Sequence, residues 1–315
     1  MIDKKTLIDY LYNSSKSMKE KKLILIRHAK SSWKYDVSDI DRPLKKRGVT
    51  DASIISKAFK EKEYTVNKIY SSPANRAFST CKIFKNNLNF NMIMKPLNTY
   101  IDHTLLKPTA TKSDIVKLCK EAKEYKFFSV CINSCYVALA KSELENSKVK
   151  VCSVIGFPLG AMSTQAKVEE AKSALVNGAD EIDMVINIGL LKSKDFDAVW
   201  NDIESVKKIM PDNTLKVILE TCYLEEDEII KASELAIQSA ADFIKTSTGF
   251  GTGGATIHDV KLMKSVAKNN AKIKASGGIK DAKTALEYIN IGVERLGTSS
   301  GIAILNNDKS SNSNY

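Results

Sequence analysis

No apolar run in this chain approaches the eighteen or so residues that a membrane-spanning helix needs. The opening stretch, MIDKKTLIDYLYNSSKSMKEKK, has no long apolar segment followed by a small-residue cleavage site, so a secretory leader is not expected. Six cysteines, Cys81, Cys119, Cys131, Cys135, Cys152 and Cys222, include no CxxC pair. Disulfide frameworks and zinc sites leave tighter spacings, so free thiols, a reducing cytoplasm and no bound metal are the expectation. Histidine is scarce, with only His28, His103 and His258.

Charge is present in excess but unevenly. The formal net charge of +11 by itself suggests a nucleic-acid partner. Residues 1–96 carry 21 basic and 9 acidic side chains, whereas residues 97–315 carry 27 and 28. The excess therefore belongs to the first third, which also holds four of the five arginines. Two segments so different in charge read as two units of different origin.

From about Tyr100 the chain repeats a short apolar strand followed by an amphipathic helix. The strands read as YIDHTL from Tyr100, SVCIN from Ser129, VCSVIG from Val151, EIDMVIN from Glu181, LKVILE from Leu215, FIKTS from Phe243, KIKAS from Lys272 and ERLGTS from Glu294. Ile115, Leu118, Cys119 and Ala122 occupy one helical face. Ser163 can cap the helix in TQAKVEEAKSALVN, with Gly178 beyond its end, and Gly292 closes a later one. Strands alternating with helices imply a parallel sheet, and eight such units point to a closed (β/α)₈ TIM barrel. An open doubly wound sheet is the alternative. The count of eight, and the lack of a GxGxxG fingerprint after the first strand, speak against it.

Active sites of such barrels lie at the C-terminal ends of the strands. Those ends carry Asp102, Cys131, Asn133, Asp183, Asn187, Glu220, Thr221, Lys245, Thr246, Lys274, Ser276 and the run from Thr298 to Ser300. Lys245 and Lys274 fall on consecutive strands, about 4.8 Å apart. Two ammonium groups at that range disfavour double protonation, so one becomes a neutral amine, with Asp183 balancing charge and passing protons. This is equipment for Schiff-base chemistry on a carbonyl. Either lysine alone reads equally as a side chain snorkelling to solvent at the rim. Spacing does not decide which of the two is the nucleophile. The glycine-rich segments GFGTGG, SGG and GTSSG follow the last three strands, where bare backbone N–H groups can cradle a phosphate or simply form tight turns.

The motifs YIDHTLLKP, GADEIDMVINIG, KVILETCYL, ADFIKTSTGFGTGGAT and KASGGIK resemble those of the deoxyribose-phosphate aldolase family, in order, along residues 97–305. The resemblance implies reversible cleavage of 2-deoxy-D-ribose 5-phosphate to acetaldehyde and D-glyceraldehyde 3-phosphate, without metal or other cofactor, in deoxyribonucleotide catabolism. By position, Lys245 would form the Schiff base and Lys274 would lower its pKa. Asp183 and Lys274 would shuttle protons, with Asp102 and Cys131 supporting the pocket. Gly249, Gly277, Gly278, Ser299 and Ser300 match the family's phosphate-binding positions. Ser134, in VCINSCYV, replaces a proline usual in the family. A transaldolase-like Schiff-base barrel is the competing enzyme reading.

Residues 22–90 read as strand, helix, strand, helix, a partial βαβα segment after an extension over 1–21. RHAKSSW and SSPANRA resemble the start of phosphohistidine phosphatases of the histidine phosphatase superfamily. That resemblance implies His28 as phosphate acceptor, with Arg27 and Arg76 gripping phosphoryl oxygens. It also accounts for the arginines without nucleic acid, so neither a nucleic-acid nor a membrane partner is expected. The family needs a second histidine, and His103 and His258 both belong to the aldolase motifs. The segment is therefore expected to be an inactive remnant, joined through residues 91–96 to the barrel. A polar tail over 306–315 is expected to be disordered, and a homo-oligomer is the expected assembly.

Overall fold

The computed structural model describes residues 43–61, 75–87 and 96–306. The chain divides into two compact units, Met1–Met92 and Ile93–Tyr315. Among the described residues no helix is long and apolar enough to cross a membrane.

The second unit is a closed barrel of eight parallel strands paired in sequence order, with β8 returning to β1. The strands are β1 Ile101–Leu105, β2 Ser129–Asn133, β3 Lys150–Ile155, β4 Glu181–Val185, β5 Thr214–Ile218, β6 Phe243–Lys245, β7 Lys272–Ser276 and β8 Arg295–Thr298. The TIM barrel expected from eight strand-helix repeats is thus the architecture found. Small differences lie at the ends. Tyr100 closes a 3₁₀ turn, Leu97–Tyr100, ahead of β1, and Asn306 ends the Gly301–Asn306 helix instead of opening the tail.

Local sequence explains the surrounding helices. Thr111 and Asp114 cap the Lys112–Tyr125 helix reciprocally, and its Ile115, Leu118, Cys119 and Ala122 are buried against the sheet. Ser163 Oγ accepts the Ala166 N–H at 3.3 Å to start the Thr164–Val176 helix. Gly178, at φ +102°, turns the chain after it, a conformation that favours glycine.

Alternation along the strands sorts the side chains into two regions. Ile182, Met184, Val217, Ile244, Ile273 and Leu296 belong to one apolar cluster that includes the helices. Their neighbours on the same strands, Glu181, Asp183, Lys216, Lys245, Lys274 and Arg295, point the other way into the barrel. Its interior is therefore charged where such barrels usually hold branched apolar residues.

In the first unit the helices Lys46–Glu61 and Asn75–Asn87 are described. Asn87 Nδ2 donates to Ser56 Oγ at 2.6 Å, and the rings of Phe59 and Phe84 meet edge to face at 6.1 Å. Arg47 lies within the first of these helices and pairs with Asp51 at 3.7 Å. The strand expected around Arg27 and His28 lies outside the described residues, as does the side chain of Arg76.

Candidate active site

Asp183 is the hub of the barrel interior. Its Oδ2 accepts from Lys245 Nζ at 2.8 Å and from Lys274 Nζ at 2.7 Å, and its Oδ1 accepts from Lys216 Nζ at 2.7 Å. The register Lys245↔Lys274 puts those two lysines side by side on β6 and β7, and Asp183↔Lys216 does the same across β4 and β5. Burial alone would raise the Asp183 carboxyl, but the three ammonium groups outweigh it and hold the acid well below the usual carboxylate range.

The lysines differ in what else they touch. Lys274 Nζ also lies 2.5 Å from Asp102 Oδ2, and Lys216 Nζ lies 2.6 Å from Glu181 Oε2. Burial works against both charges, yet the paired carboxylates raise Lys274 and Lys216 above the ordinary lysine range. Among the described residues Lys245 has one carboxylate within ion-pair distance, and it shares that oxygen with Lys274.

Arg295 completes the network. Its Nε donates to Asp102 Oδ1 at 2.7 Å and its Nη2 to Glu181 Oε2 at 2.7 Å, while the guanidinium lies 3.5 Å above the Phe128 ring. Arg295, Lys274 and Lys216 together outweigh burial and hold Asp102 below its usual range. Three carboxylates, Asp102, Glu181 and Asp183, thus face four cations, Lys216, Lys245, Lys274 and Arg295. On β8, a Cβ at Gly297 would come within 2.9 Å of Ser276 Cβ and 3.1 Å of Lys274 Cε, so a bare backbone gives Lys274 room to extend.

Cys131 and Cys152 sit on the same hub, with Sγ atoms 4.0 Å from Asp183 Oδ2 and 3.1 Å from Asp183 Oδ1. On the far side of Lys245, Glu220 ends the connection from β5 at φ +58° and accepts the Thr248 N–H at 3.1 Å and the Thr248 hydroxyl. Burial pushes the Glu220 carboxyl up. Glu220 thereby ties the loop that leaves Lys245 to the neighbouring strand.

A recess between the ends of β7 and β8 is lined by Gly277, Gly278, Ile279, Lys280 and the segment from Gly297 to Ser300. Gly277 and Gly278 have φ of +86° and +80°. A Cβ on Gly277 would stand 2.8 Å from Gly254 Cα, so the loops after β6 and β7 close up only because both are bare. Gly249 does not line this recess; its φ of +87° bends the loop after β6, with open space beside it.

The structure thus brings Asp102, Cys131, Asp183, Lys245 and Lys274 together, and groups Gly277, Gly278, Ser299 and Ser300 separately. Sequence reasoning missed Glu181, Lys216, Arg295, Cys152 and Lys280. The signal for the first three is a charge at an inward position of an apolar strand. Ser134, at the proline position, donates to Glu170 Oε1 at 2.8 Å and leaves the network untouched.

Residues 97–309 match the family described as DeoC/LacD family aldolase, and residues 23–97 match the histidine phosphatase superfamily, branch 1. The deoxyribose-phosphate aldolase of Finegoldia magna is 57% identical over 209 residues, covering 66% of this chain and 98% of that protein. That of Thermococcus kodakarensis is 56% identical over 218 residues, covering 68% and 97%. Among solved structures, the chain superposes on QR15, an aldolase, with a TM-score of 0.65 and 46% identity over 68% of this chain and 96% of that one. The tetrameric deoxyribose phosphate aldolase of Aeropyrum pernix gives 0.63 and 34%, over 67% and 89%.

Proposed function

Since this chain belongs to the DeoC/LacD family of aldolases, we propose that it reversibly cleaves 2-deoxy-D-ribose 5-phosphate to acetaldehyde and D-glyceraldehyde 3-phosphate through a Schiff base on Lys245. The observation that carries this reading is the single oxygen, Asp183 Oδ2, that Lys245 and Lys274 share at 2.8 and 2.7 Å. A buried network with four cations and three carboxylates is relieved by releasing one proton. Lys274 and Lys216 each bridge two carboxylates, so their charges are the better anchored. Lys245, with one shared carboxylate, is the least anchored and is the amine assigned as nucleophile.

The neutral Lys245 amine adds to the C1 aldehyde of the open-chain sugar, and loss of water leaves the protonated Schiff base. Removal of the C3 hydroxyl proton then breaks the C2–C3 bond. The electron pair moves onto the iminium and leaves an enamine on Lys245, while D-glyceraldehyde 3-phosphate departs. Asp183 and Lys274, both in contact with the nucleophile's surroundings, exchange these protons, reprotonate the enamine and assist hydrolysis to acetaldehyde. Asp102 and Arg295 keep Lys274 in place. The phosphate takes the backbone N–H groups and hydroxyls around Gly277, Gly278, Ser299 and Ser300, with Lys280 beside them. Gly249 shapes the loop between the two sites.

Borohydride reduction in the presence of substrate tests this directly. A stable adduct on the peptide containing Lys245 is expected, and one on Lys274 would overturn the assignment. Acetaldehyde as donor separates this activity from transaldolase-like chemistry.

The domain scheme proposed with this activity is an extension over 1–21, a phosphatase-like segment over 22–90, a junction over 91–96 and the aldolase over 97–305. The segment resembling histidine phosphatases is inactive in this reading, because the chain's other two histidines are engaged elsewhere. His103 Nε2 pairs with Glu121 at 2.8 Å and His258 Nε2 with Glu226 at 2.9 Å. Phosphate release from a phosphohistidine substrate that vanishes in His28→Ala would contradict it. A cytoplasmic homo-oligomer is the assembly proposed, in line with the tetrameric relative.

A further inference from the structure

We propose that Cys131 and Cys152 form an oxidisable dithiol beside Asp183 in the barrel interior, which a peroxide-class oxidant closes to a disulfide. The pair faces directly across β2 and β3, in the register Cys131↔Cys152. Directly paired residues on adjacent strands have Cα atoms about 4.8 Å apart, inside the span a disulfide bridges. Both side chains point inward, and their sulfur atoms and an Asp183 oxygen all lie within 4.8 Å of one another. Cys119, buried against the sheet from the Lys112–Tyr125 helix, is not part of this group.

The electrostatics favour a nucleophilic sulfur. A hydrogen bond from Cys152 brings the Cys131 thiol down to about 7 against the opposing effect of burial, with Lys274 and Lys245 adding to it. Burial pushes the Cys152 thiol up, so it remains protonated as the resolving partner. Lys216 Nζ lies 3.2 Å from Cys152 Sγ and stabilises negative charge there as the second thiol reacts. Two thiols and a carboxylate could also attract a soft cation, but three ammonium groups on the same carboxylate repel one.

The Cys131 thiolate attacks one peroxide oxygen, the O–O bond breaks, and hydroxide leaves as water after taking a proton. The resulting sulfenic acid is attacked by Cys152, the S–S bond forms and a second water departs. Two thiols lose two electrons, and one hydrogen peroxide becomes two waters. A molecule that reaches the Lys245 amine arrives at the carboxylate oxygen that Cys131 also faces, so peroxide uses the substrate's path. Closing the bond withdraws Cys152 from Asp183 Oδ1 and from Lys216, which disturbs the hub of the network.

The test uses the full chain treated with hydrogen peroxide, followed by alkylation and peptide mass mapping. A cross-linked pair of peptides containing Cys131 and Cys152, about 2 Da lighter than the reduced pair, is expected. Aldol cleavage should fall by about a hundredfold, the cost of roughly 1 Å of misplacement at a catalytic group, and return with dithiothreitol. In Cys152→Ala the cross-link is lost and a second equivalent of peroxide carries the Cys131 sulfenic acid on to sulfinic acid, so dithiothreitol no longer restores what excess peroxide removes. Oxidation confined to Cys135 or Cys222, or full alkylation of Cys131 and Cys152 after peroxide, would overturn the proposal. Mass mapping reads the bond whatever the substrate, so its outcome is independent of the aldolase assignment.

Discussion

Two buried lysines of the same unit invite comparison. Lys167, on the Thr164–Val176 helix, has its Nζ 2.5 Å from Asp202 Oδ2 and 2.9 Å from the Val185 carbonyl oxygen. Lys245, inside the barrel, has one carboxylate too, at 2.8 Å. Both are almost wholly shielded from water. The difference is ownership. No other ammonium pairs with Asp202 among the described residues, whereas Asp183 serves Lys216, Lys245 and Lys274 together. In the proposed mechanism it is the sharing of Asp183, and not burial itself, that sets Lys245 apart from Lys167.

The largest expected effect lies on the barrel side. Lys245→Ala should abolish aldol cleavage while the protein still melts cooperatively. Lys167→Met should leave turnover of the folded enzyme near wild type, because its pair lies between helices. An inactive but folded Lys167→Met would break the comparison.

Stability should invert the ranking. Removing Lys167 strands a buried carboxylate, which costs about 3–5 kcal/mol in denaturant unfolding. The double replacement Lys167→Met with Asp202→Leu should recover most of that loss. Lys245→Ala removes one cation from a network with a surplus, so its unfolding midpoint should move less. A larger loss for Lys245→Ala than for Lys167→Met would refute the charge-surplus account.

The smallest effect concerns acid. Asp183 and Asp102 are held below the usual carboxylate range when folded. A depressed folded-state pKa adds stability above the unfolded value of about 3.9 and loses it as pH falls from there. Near neutral pH the contribution is complete, so unfolding free energy should stay flat with respect to these groups down to about pH 5 and then decline. Asp102→Asn should shallow the decline, as followed by urea midpoints across that range.

Much of this was legible in one dimension. Eight apolar, β-branched stretches separated by capped helices admit few architectures, because a parallel strand needs a crossover helix to reach its neighbour. Lys245, Lys274 and Asp183 stood out at the ends of such strands. Glu181, Lys216 and Arg295 did not, because a charged residue on a strand has the same local signature whether it faces water or the barrel axis. The N-terminal motifs around His28 remain a resemblance, on residues outside those described.

Sequence alone determined the repeat, the strand count, the helix caps and the candidate nucleophiles, since each depends on neighbours within a few residues. Tertiary structure decided the rest. Closure of the barrel brings Asp102, Asp183 and Arg295, spread across 194 residues of chain, into one water-poor space. Only there do the charges count one another, because at low dielectric a surplus cation is felt across the whole cluster. That count distinguishes Lys245 from the lysines beside it.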